Sequence, residues 1–522
     1  MMALFTHPFQ RKASTLAITA LLSSSFSATT TVSSFVITKS KNSISLGKNN
    51  NINFVNRFRG GSGSVSSDSS NNQKNIRHIM TSSNTAKISI SDAFDGGNGK
   101  LIKTETTSNN EDGKKIKAYV EIQKDPYTEL EQTNHHQYFS FRSTSNEPCK
   151  VIYVLSNAGN ASYPIAWDGS TTFVSSTPND ECSWKRVLDT TYNKDTGELS
   201  WTYEHDKNAK IAYFSYFPPY SYERHLNLIS QCDMCPNANV MTLGQTLDGR
   251  EMDCVKVGDG SNTCWIIHRQ HPGESMAEFY AEGLLERLLG LKTNYAVDGM
   301  VRDALKQYTF YIVPNMCPDG SVRGHLRTNA HGQNLNREWC SSTYNNKDEN
   351  DIKYEAPSIE RSPEVYHVLK KMDETDCDVF LDIHGDEELP YNFLAGGEGC
   401  PNWSTRLQSL HGAFLAKYSR TNSDMQIPIG YEPEETGKGR LNVCSNQIGV
   451  RYDCLAATLE MPFKDCASNP DPDNGWNPVR SKMLGASVLE PLLYVAPYLR
   501  GDPIEWVKED AYVSPTSDYK SL

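Results

Sequence analysis

Four short stretches of the chain carry residues whose types and spacing suit one chemistry. His271-Pro-Gly-Glu274 sets an imidazole and a carboxylate three residues apart on a turn. His384 stands in Asp382-Ile-His384-Gly-Asp386, Glu460 opens Glu460-Met-Pro-Phe463, and Arg327 precedes Asn334-Leu-Asn336-Arg337. Two imidazoles and one carboxylate are the ligand set of a catalytic zinc whose fourth position is left for water. His271, Glu274 and His384 would supply it, one ion per chain. Zinc lowers the pKa of a bound water to about 7, and an unligated carboxylate can pass the water's proton to a leaving amine. Glu460 is the candidate for that base. Arg327 and Arg337 offer planar forks suited to a carboxylate. A chain that grips a free carboxylate beside a hydrolytic zinc would cut next to a chain end.

Each piece alone has an ordinary reading. Thirteen histidines make chance HxxE matches expected, and His384-Gly-Asp-Glu387 is a second one. A lone histidine after a strand is more often a satisfied structural group than a ligand. Arg337 has Glu338 beside it, and Glu460 could cap a loop. The pieces gain weight because each follows a strongly apolar run. Thr263–Arg269 (TCWIIHR), Tyr308–Val313 (YTFYIV), Asp378–Ile383 (DVFLDI) and Cys454–Leu459 (CLAATL) read as buried strands. The first leads into a helix through Glu286, where Met276, Tyr280, Leu284 and Leu288 recur at four-residue spacing. Long apolar strands alternating with helices predict an α/β layer buried on both faces, with functional groups gathered where strands end.

Upstream the rhythm differs. Ala118–Gln123, Gln137–Arg142, Lys150–Leu155, Leu199–Glu204 and Lys210–Phe217 are short runs rich in aromatic and β-branched residues, separated by Gly, Asn, Asp and Pro. They predict an all-β antiparallel sandwich with no catalytic constellation of its own. The chain then divides into a leader and linker at 1–85, a sandwich at 86–228, an α/β domain at 229–500 and a tail at 501–522.

Composition bounds the alternatives. The 522 residues are 38% hydrophobic, enough for a real core, which excludes a wholly disordered chain or a coiled coil. A net charge of −12 argues against a protein built to hold nucleic acid, and no run approaches the roughly 18 apolar residues of a membrane-spanning helix. The charge is uneven. Seven basic and no acidic residues precede Asp68, which leaves 44 basic against 63 acidic residues beyond it, a net of −19. Residues 13–28 (ASTLAITALLSSSFSA) follow Arg11-Lys12 and suit a secretory signal with cleavage near Ala28. The Ser/Thr-rich stretch after it suits an organellar transit sequence, so the leader points to the secretory pathway or an organelle. An untranslocated, disordered N-terminus in a cytoplasmic protein is the alternative. Residues 49–85 are too polar to form a core. The 13 cysteines lie between Cys149 and Cys466, mostly singly, and read as free thiols rather than a disulfide framework. Cys232 and Cys235 form the one CxxC, without the second pair of a metal site.

The longer words resemble a known family. RQHPGESMAEFYAEGLLERLLG, VPNMCPDGSVRGHLRTNAHGQNLNREW, SPEV, FLDIHGDEELPYNFLAG and TLEMPFKD are similar to the zinc metallocarboxypeptidases, and specifically to the bacterial-type branch of the cytosolic carboxypeptidases. ISDAFDGGNG, NAGNASYP and YFPPYSYERH resemble that subfamily's N-terminal β-sandwich, so the likeness covers about 88–500. It implies a mixed-sheet α/β/α zinc carboxypeptidase domain preceded by the sandwich.

By that resemblance His271, Glu274 and His384 match the zinc ligands and Glu460 the general base. Arg327 matches the arginine that polarises the scissile carbonyl, and Asn336 and Arg337 the pair that anchors the terminal carboxylate. Asn334 stands where digestive members place an aspartate behind the first zinc histidine. Eukaryotic members remove glutamates from protein C-termini and from polyglutamate chains, which implies deglutamylation and a positive specificity pocket. Lys438, Arg440 and Arg451 are its candidates here, each also readable as a solvated loop charge. Tyr431 and Tyr452 are candidates for the tyrosine placed over the substrate. The partners implied are peptide or protein C-termini, polyglutamate chains among them. Two other readings stay open: a zinc amidohydrolase of N-acyl amino acids, and a peptide-binding module with a retired active site.

Overall fold

The computed structural model describes residues 86–109, 113–128, 134–340, 355–501 and 512–520. The leader and linker expected at 1–85 lie outside the described residues, and so does 502–511 of the tail.

The N-terminal strands are β1 (Ile88–Ser91), β2 (Lys100–Asn109), β3 (Gly113–Glu121), β4 (Ser140–Ser145), β5 (Cys149–Leu155), β6 (Thr172–Ser175), β7 (Lys185–Val187), β8 (Thr191–Asn193), β9 (Glu198–His205) and β10 (Ile211–Ser215). They form two five-stranded sheets, ordered β1-β4-β10-β6-β7 and β2-β3-β5-β9-β8. All pairings are antiparallel except β3 with β5, which runs parallel. That pair departs from the purely antiparallel expectation, because the link between its strands passes through β4 in the opposite sheet. Phe139, Phe141, Tyr153, Trp167, Trp201 and Phe214 fill the space between the sheets as one aromatic core.

The helix Tyr222–Asp233, capped by the Ser221 hydroxyl, crosses the expected boundary at 228 and leads into the second layer. Its sheet contains β11 (Ala238–Gln245), β12 (Glu251–Val257), β13 (Asn262–His268), β14 (Tyr308–Val313), β15 (Val379–Asp386), β16 (Phe393–Ala395) and β17 (Leu455–Pro462), in the order β11-β12-β14-β13-β15-β17-β16. The four apolar runs singled out in the sequence are the parallel centre, β14-β13-β15-β17, and the edges are antiparallel. Their residues alternate between two cores. Cys264 and Ile266 of β13 face one, with Leu381, Ile383, Ala457 and Leu459; Trp265 and Ile267 face the other, with Phe380 and Ala456. A strand that buries both faces has no polar side, which is why these runs read as continuous hydrophobes.

The chain leaves β13 to build β14 on one side and returns to place β15 on the other. This reversal opens a crevice at the carboxyl end of β13, where open α/β sheets hold their ligands. The sandwich is packed against the same layer. Phe463, one residue past β17, stacks on Tyr216 at 4.6 Å and meets Phe217 edge-on. Among the described residues no helix is long and apolar enough to cross a membrane. All 13 cysteines are free, Cys232 and Cys235 included, and burial raises the Cys232 thiol to about 12.

Candidate active site

The turn after β13 is held by buried Arg269, which adopts a positive φ of 56°. Its guanidinium donates to the carbonyls of Pro272 and Tyr220 and to Glu278 Oε2 at 2.7–2.9 Å, so the strained residue is fixed from three sides. Gly273 is needed for close approach. Its N–H donates to Leu326 O at 2.9 Å, and a Cβ there would lie 2.9 Å from the same oxygen. The turn thus delivers His271 and Glu274 beside the loop that carries Arg327.

His271, Glu274 and His384 are buried, and their ligand atoms lie within 4.8 Å of one another. Glu274 Oε1 is 2.6 Å from His271 Nδ1, Glu274 Oε2 is 2.8 Å from His384 Nδ1, and the two Nδ1 atoms face each other at 3.1 Å. The partners behind the rings set their tautomers. His271 Nε2 donates to Asn334 Oδ1 at 3.0 Å, an oxygen identified as such because it also accepts the Asn336 N–H. His384 Nε2 stands 2.9 Å from Asp382 Oδ1, and Asp382 Oδ2 accepts from Gln270 at 2.6 Å. With the His271 ring proton on Nε2 and His384 Nε2 turned to Asp382, both Nδ1 atoms and a carboxylate converge on one point. That arrangement repels itself until a cation or a proton occupies it, and it fits a divalent metal.

The electrostatics agree with this reading. Burial and the nearby Arg327 push the His271 imidazole down to about 3, so it is neutral. Burial opposes the charge on Glu274, but His271 and His384 outweigh it and hold the carboxyl well below its usual range. Burial also opposes charge on His384, yet Asp382 and Glu274 on either side raise it well above the ordinary imidazole.

Glu460 of β17 is the register partner of His384 on β15. Its carboxyl is raised well above the usual range, chiefly by burial and further by Glu274, Asp386 and Glu387 nearby, while His384 opposes the rise. Tyr431 donates to Asp386 Oδ2 at 2.6 Å and reaches Glu460 Oε1 at 3.2 Å, with its ring edge-on to Phe393. His271, Glu274, Asp386, Tyr431 and Glu460 line a cleft of about 490 Å³ together with Arg327, Asn336, Arg337, Arg440 and Thr458. Asn336 Oδ1 accepts the Cys444 N–H at 2.9 Å, which leaves its amide nitrogen as the donor for an anion.

Of the sequence-level candidates, the structure brings His271, Glu274, His384, Glu460, Arg327, Asn334, Asn336, Arg337, Arg440 and Tyr431 to this region. It does not bring Arg451, Tyr452 or Lys438. Arg451 Nε and Nη2 bind the two Asp373 oxygens at 2.8 and 2.6 Å, and the Tyr452 hydroxyl donates to Asp373 Oδ1 at 2.6 Å, so both side chains clamp the helix Pro363–Thr375. Lys438 is exposed on the turn before Arg440 and is not among the lining residues.

Several contributors escaped the motif reading. Asp382 stands two residues before His384 on β15, so the alternation of the strand turns both side chains to one face. Asp386 and Glu387 line the cleft, and burial raises both carboxyls. Tyr163 enters from the sandwich, its hydroxyl raised by burial to about 12. Pro515 enters from the tail, where Thr516 donates to Pro428 O at 2.9 Å and accepts from the Gly430 N–H at 3.1 Å. No pattern in the sequence marks those long-range contacts.

Residues 90–217 match the model of the cytosolic carboxypeptidase N-terminal domain, and residues 226–465 match the zinc carboxypeptidase model. An uncharacterised protein of Zymomonas mobilis is 40% identical over 402 residues, 77% of this chain and 95% of the relative. A metallo-carboxypeptidase from Pseudomonas aeruginosa, solved in complex with (2-guanidinoethylmercapto)succinic acid, superposes with a TM-score of 0.68 at 36% identity, covering 79% of this chain and 100% of that one. Cytosolic carboxypeptidase 6 of Caenorhabditis elegans is 25% identical over 280 residues, half of this chain and 55% of that protein.

Proposed function

The chain belongs to the zinc carboxypeptidase family, in the form that carries a cytosolic carboxypeptidase N-terminal domain, and its cofactor is a zinc ion; from that premise we propose that it releases an acidic C-terminal residue from peptides and proteins. The observation that carries the reading is the meeting of the His271–Glu274–His384 cluster, Glu460 and the Arg327–Asn336–Arg337 group in one cleft.

In this reading His271, Glu274 and His384 hold the zinc, which supplies Lewis acidity for the carbonyl and for water. The substrate's terminal carboxylate is bound by the Arg337 guanidinium and the Asn336 amide. Arg327 donates to the scissile carbonyl oxygen as charge develops there. Glu460 takes a proton from the attacking water as the new C–O bond forms, and returns it to the amine nitrogen as the C–N bond breaks. Tyr431, whose hydroxyl donates to Asp386 and lies 3.2 Å from Glu460 Oε1, closes the cleft over the substrate.

Arg440 supports the acidic preference. It lines the cleft beside Val443, Ser445 and Asn446, with its Nε on Glu434 Oε1 at 3.1 Å, a half-exposed pair that a substrate carboxylate can replace. The rim also carries Glu388, Glu398, Glu432 and Glu434. A long polyglutamate chain would meet like charges there, so the substrate we infer has an acidic last residue on a chain that is not itself acidic. The same carboxylates favour a second reading, release of a basic residue. A panel of zinc-loaded assays on peptides ending in Glu, Leu and Lys separates them. Faster release of Glu, lost in Arg440→Ala, supports the first; faster release of Lys supports the second.

We further infer that residues 1–85 direct the protein to the secretory pathway or an organelle, from the basic composition of the stretch before Asp68, which holds no acidic residue. A fluorescent fusion of 1–85 tests this, and a diffuse cytosolic signal overturns it.

A further inference from the structure

Asp125 belongs to the sandwich, four residues past the end of β3, and is 4% exposed. Its carboxylate accepts three successive backbone N–H groups of the α/β layer: Leu326 on Oδ1 at 2.7 Å, and Arg327 and Thr328 on Oδ2 at 2.8 and 3.0 Å. The Thr328 hydroxyl adds a fourth bond at 3.1 Å. Successive N–H groups turned to one side form an anion-binding nest, and here the anion is a side chain of this protein.

The loop held in this way carries Arg327, and its other side is tied to the metal turn, since Leu326 O accepts the Gly273 N–H at 2.9 Å between His271 and Glu274. Asn98, also of the sandwich, donates to Gly324 O at 3.0 Å and fixes the start of the same loop. The tripeptide 326–328 is therefore clamped between a sandwich carboxylate and the turn that presents the metal ligands.

We propose that Asp125 is a positioning residue for catalysis, by which the sandwich sets where Arg327 meets the scissile carbonyl. This rests on the role given to Arg327 in the proposed function. Misplacing such a group by about an ångström costs on the order of 100-fold in rate. Since Arg327 acts on the carbonyl while Arg337 and Asn336 hold the carboxylate, the loss belongs in kcat and not in KM.

The test is a double-mutant cycle with the full zinc-loaded chain: wild type, Asp125→Asn, Arg327→Ala and the double variant, each with zinc content and Tm. The expected result is a kcat lowered by about 10- to 100-fold in Asp125→Asn, KM within about threefold, zinc retained, and no further loss when Asp125→Asn is added to Arg327→Ala. Thr328→Val removes only the hydroxyl bond and leaves the three N–H bonds to Asp125 in place, so it keeps the test open if Asp125→Asn does not fold; it too should lower kcat only where Arg327 is present. Full kcat in both loop variants, or additive losses in the cycle, overturns the inference while an inactive Arg327→Ala leaves the proposed mechanism standing. A fully active Arg327→Ala overturns the role of Arg327 itself.

Discussion

His384 and Glu460 are register partners on the adjacent parallel strands β15 and β17. The separation between a metal ligand and the proposed proton carrier is therefore set by backbone ladder geometry, not by loop conformation. Glu460→Gln keeps the shape of the side chain and removes its capacity as a base. We expect kcat to fall by about 10²–10⁴-fold with zinc still bound, measured by peptide release alongside metal analysis of the same sample. Undiminished turnover would remove Glu460 from the mechanism.

Asp382 and Asn334 stand behind the two imidazoles, and this placement predicts metal affinity. Asp382→Asn should weaken zinc by about 10- to 100-fold, read in competition with a chromophoric chelator. Because zinc binds the folded chain, stripping it should also lower Tm, with recovery on adding zinc back. A Tm that ignores both treatments would contradict a site at this cluster.

The tail makes its own prediction. Thr516 pairs with Pro428 and Gly430, and Pro515 lines the cleft next to the segment that carries Tyr431. Tyr512 donates to Glu398 Oε1 at 2.6 Å and Ser517 donates to Glu432 Oε1 at 3.2 Å, so two rim carboxylates are also engaged by it. Deleting residues 512–522 frees this wall, and ordering it on binding then costs about 0.5–1.5 kcal/mol per side chain. KM should rise by roughly 3- to 10-fold; steady-state kinetics that match the full chain would show the tail to be inert.

Stability should depend on pH through His225. It lies between Asp253, at 3.1 Å from Nε2, and Glu278, at 2.7 Å from Nδ1, with Arg269 and Asn315 also on Glu278 and Tyr222 stacked on its ring. Burial opposes its charge, but the two carboxylates outweigh burial and raise it to about 9 from 6.5. A raised pKa contributes stability that is complete below the unfolded value and is lost as pH climbs through the folded one. Denaturant unfolding should therefore weaken between pH 6.5 and 9, by about 3 kcal/mol at most, and His225→Gln should flatten the decline. A wild-type curve that does not fall across this window contradicts the assignment.

Much of this was legible in the sequence. The four apolar runs gave the parallel centre of the sheet because strands buried on both faces need continuous hydrophobes, and their ends gave the metal cluster and Glu460. The pocket cations were harder. Arg440, Lys438 and Arg451 are alike in a linear reading, and only the fold puts Arg451 on Asp373 and Arg440 in the cleft. Asp125 was invisible, since a carboxylate in a Lys-Asp-Pro loop announces nothing until residues about 200 positions away fold onto it. The parallel β3–β5 pair was missed for the same reason, as strand direction follows from connections and not from composition.

The most direct test of the account follows a peptide by mass spectrometry with zinc-loaded enzyme, once with a free C-terminal carboxylate and once with an amide in its place. The account predicts that the free acid loses its last residue and then shortens from that end only, while the amide, with no carboxylate for Arg337 and Asn336, is left intact. Cleavage inside the chain, or equal release from acid and amide, would contradict it.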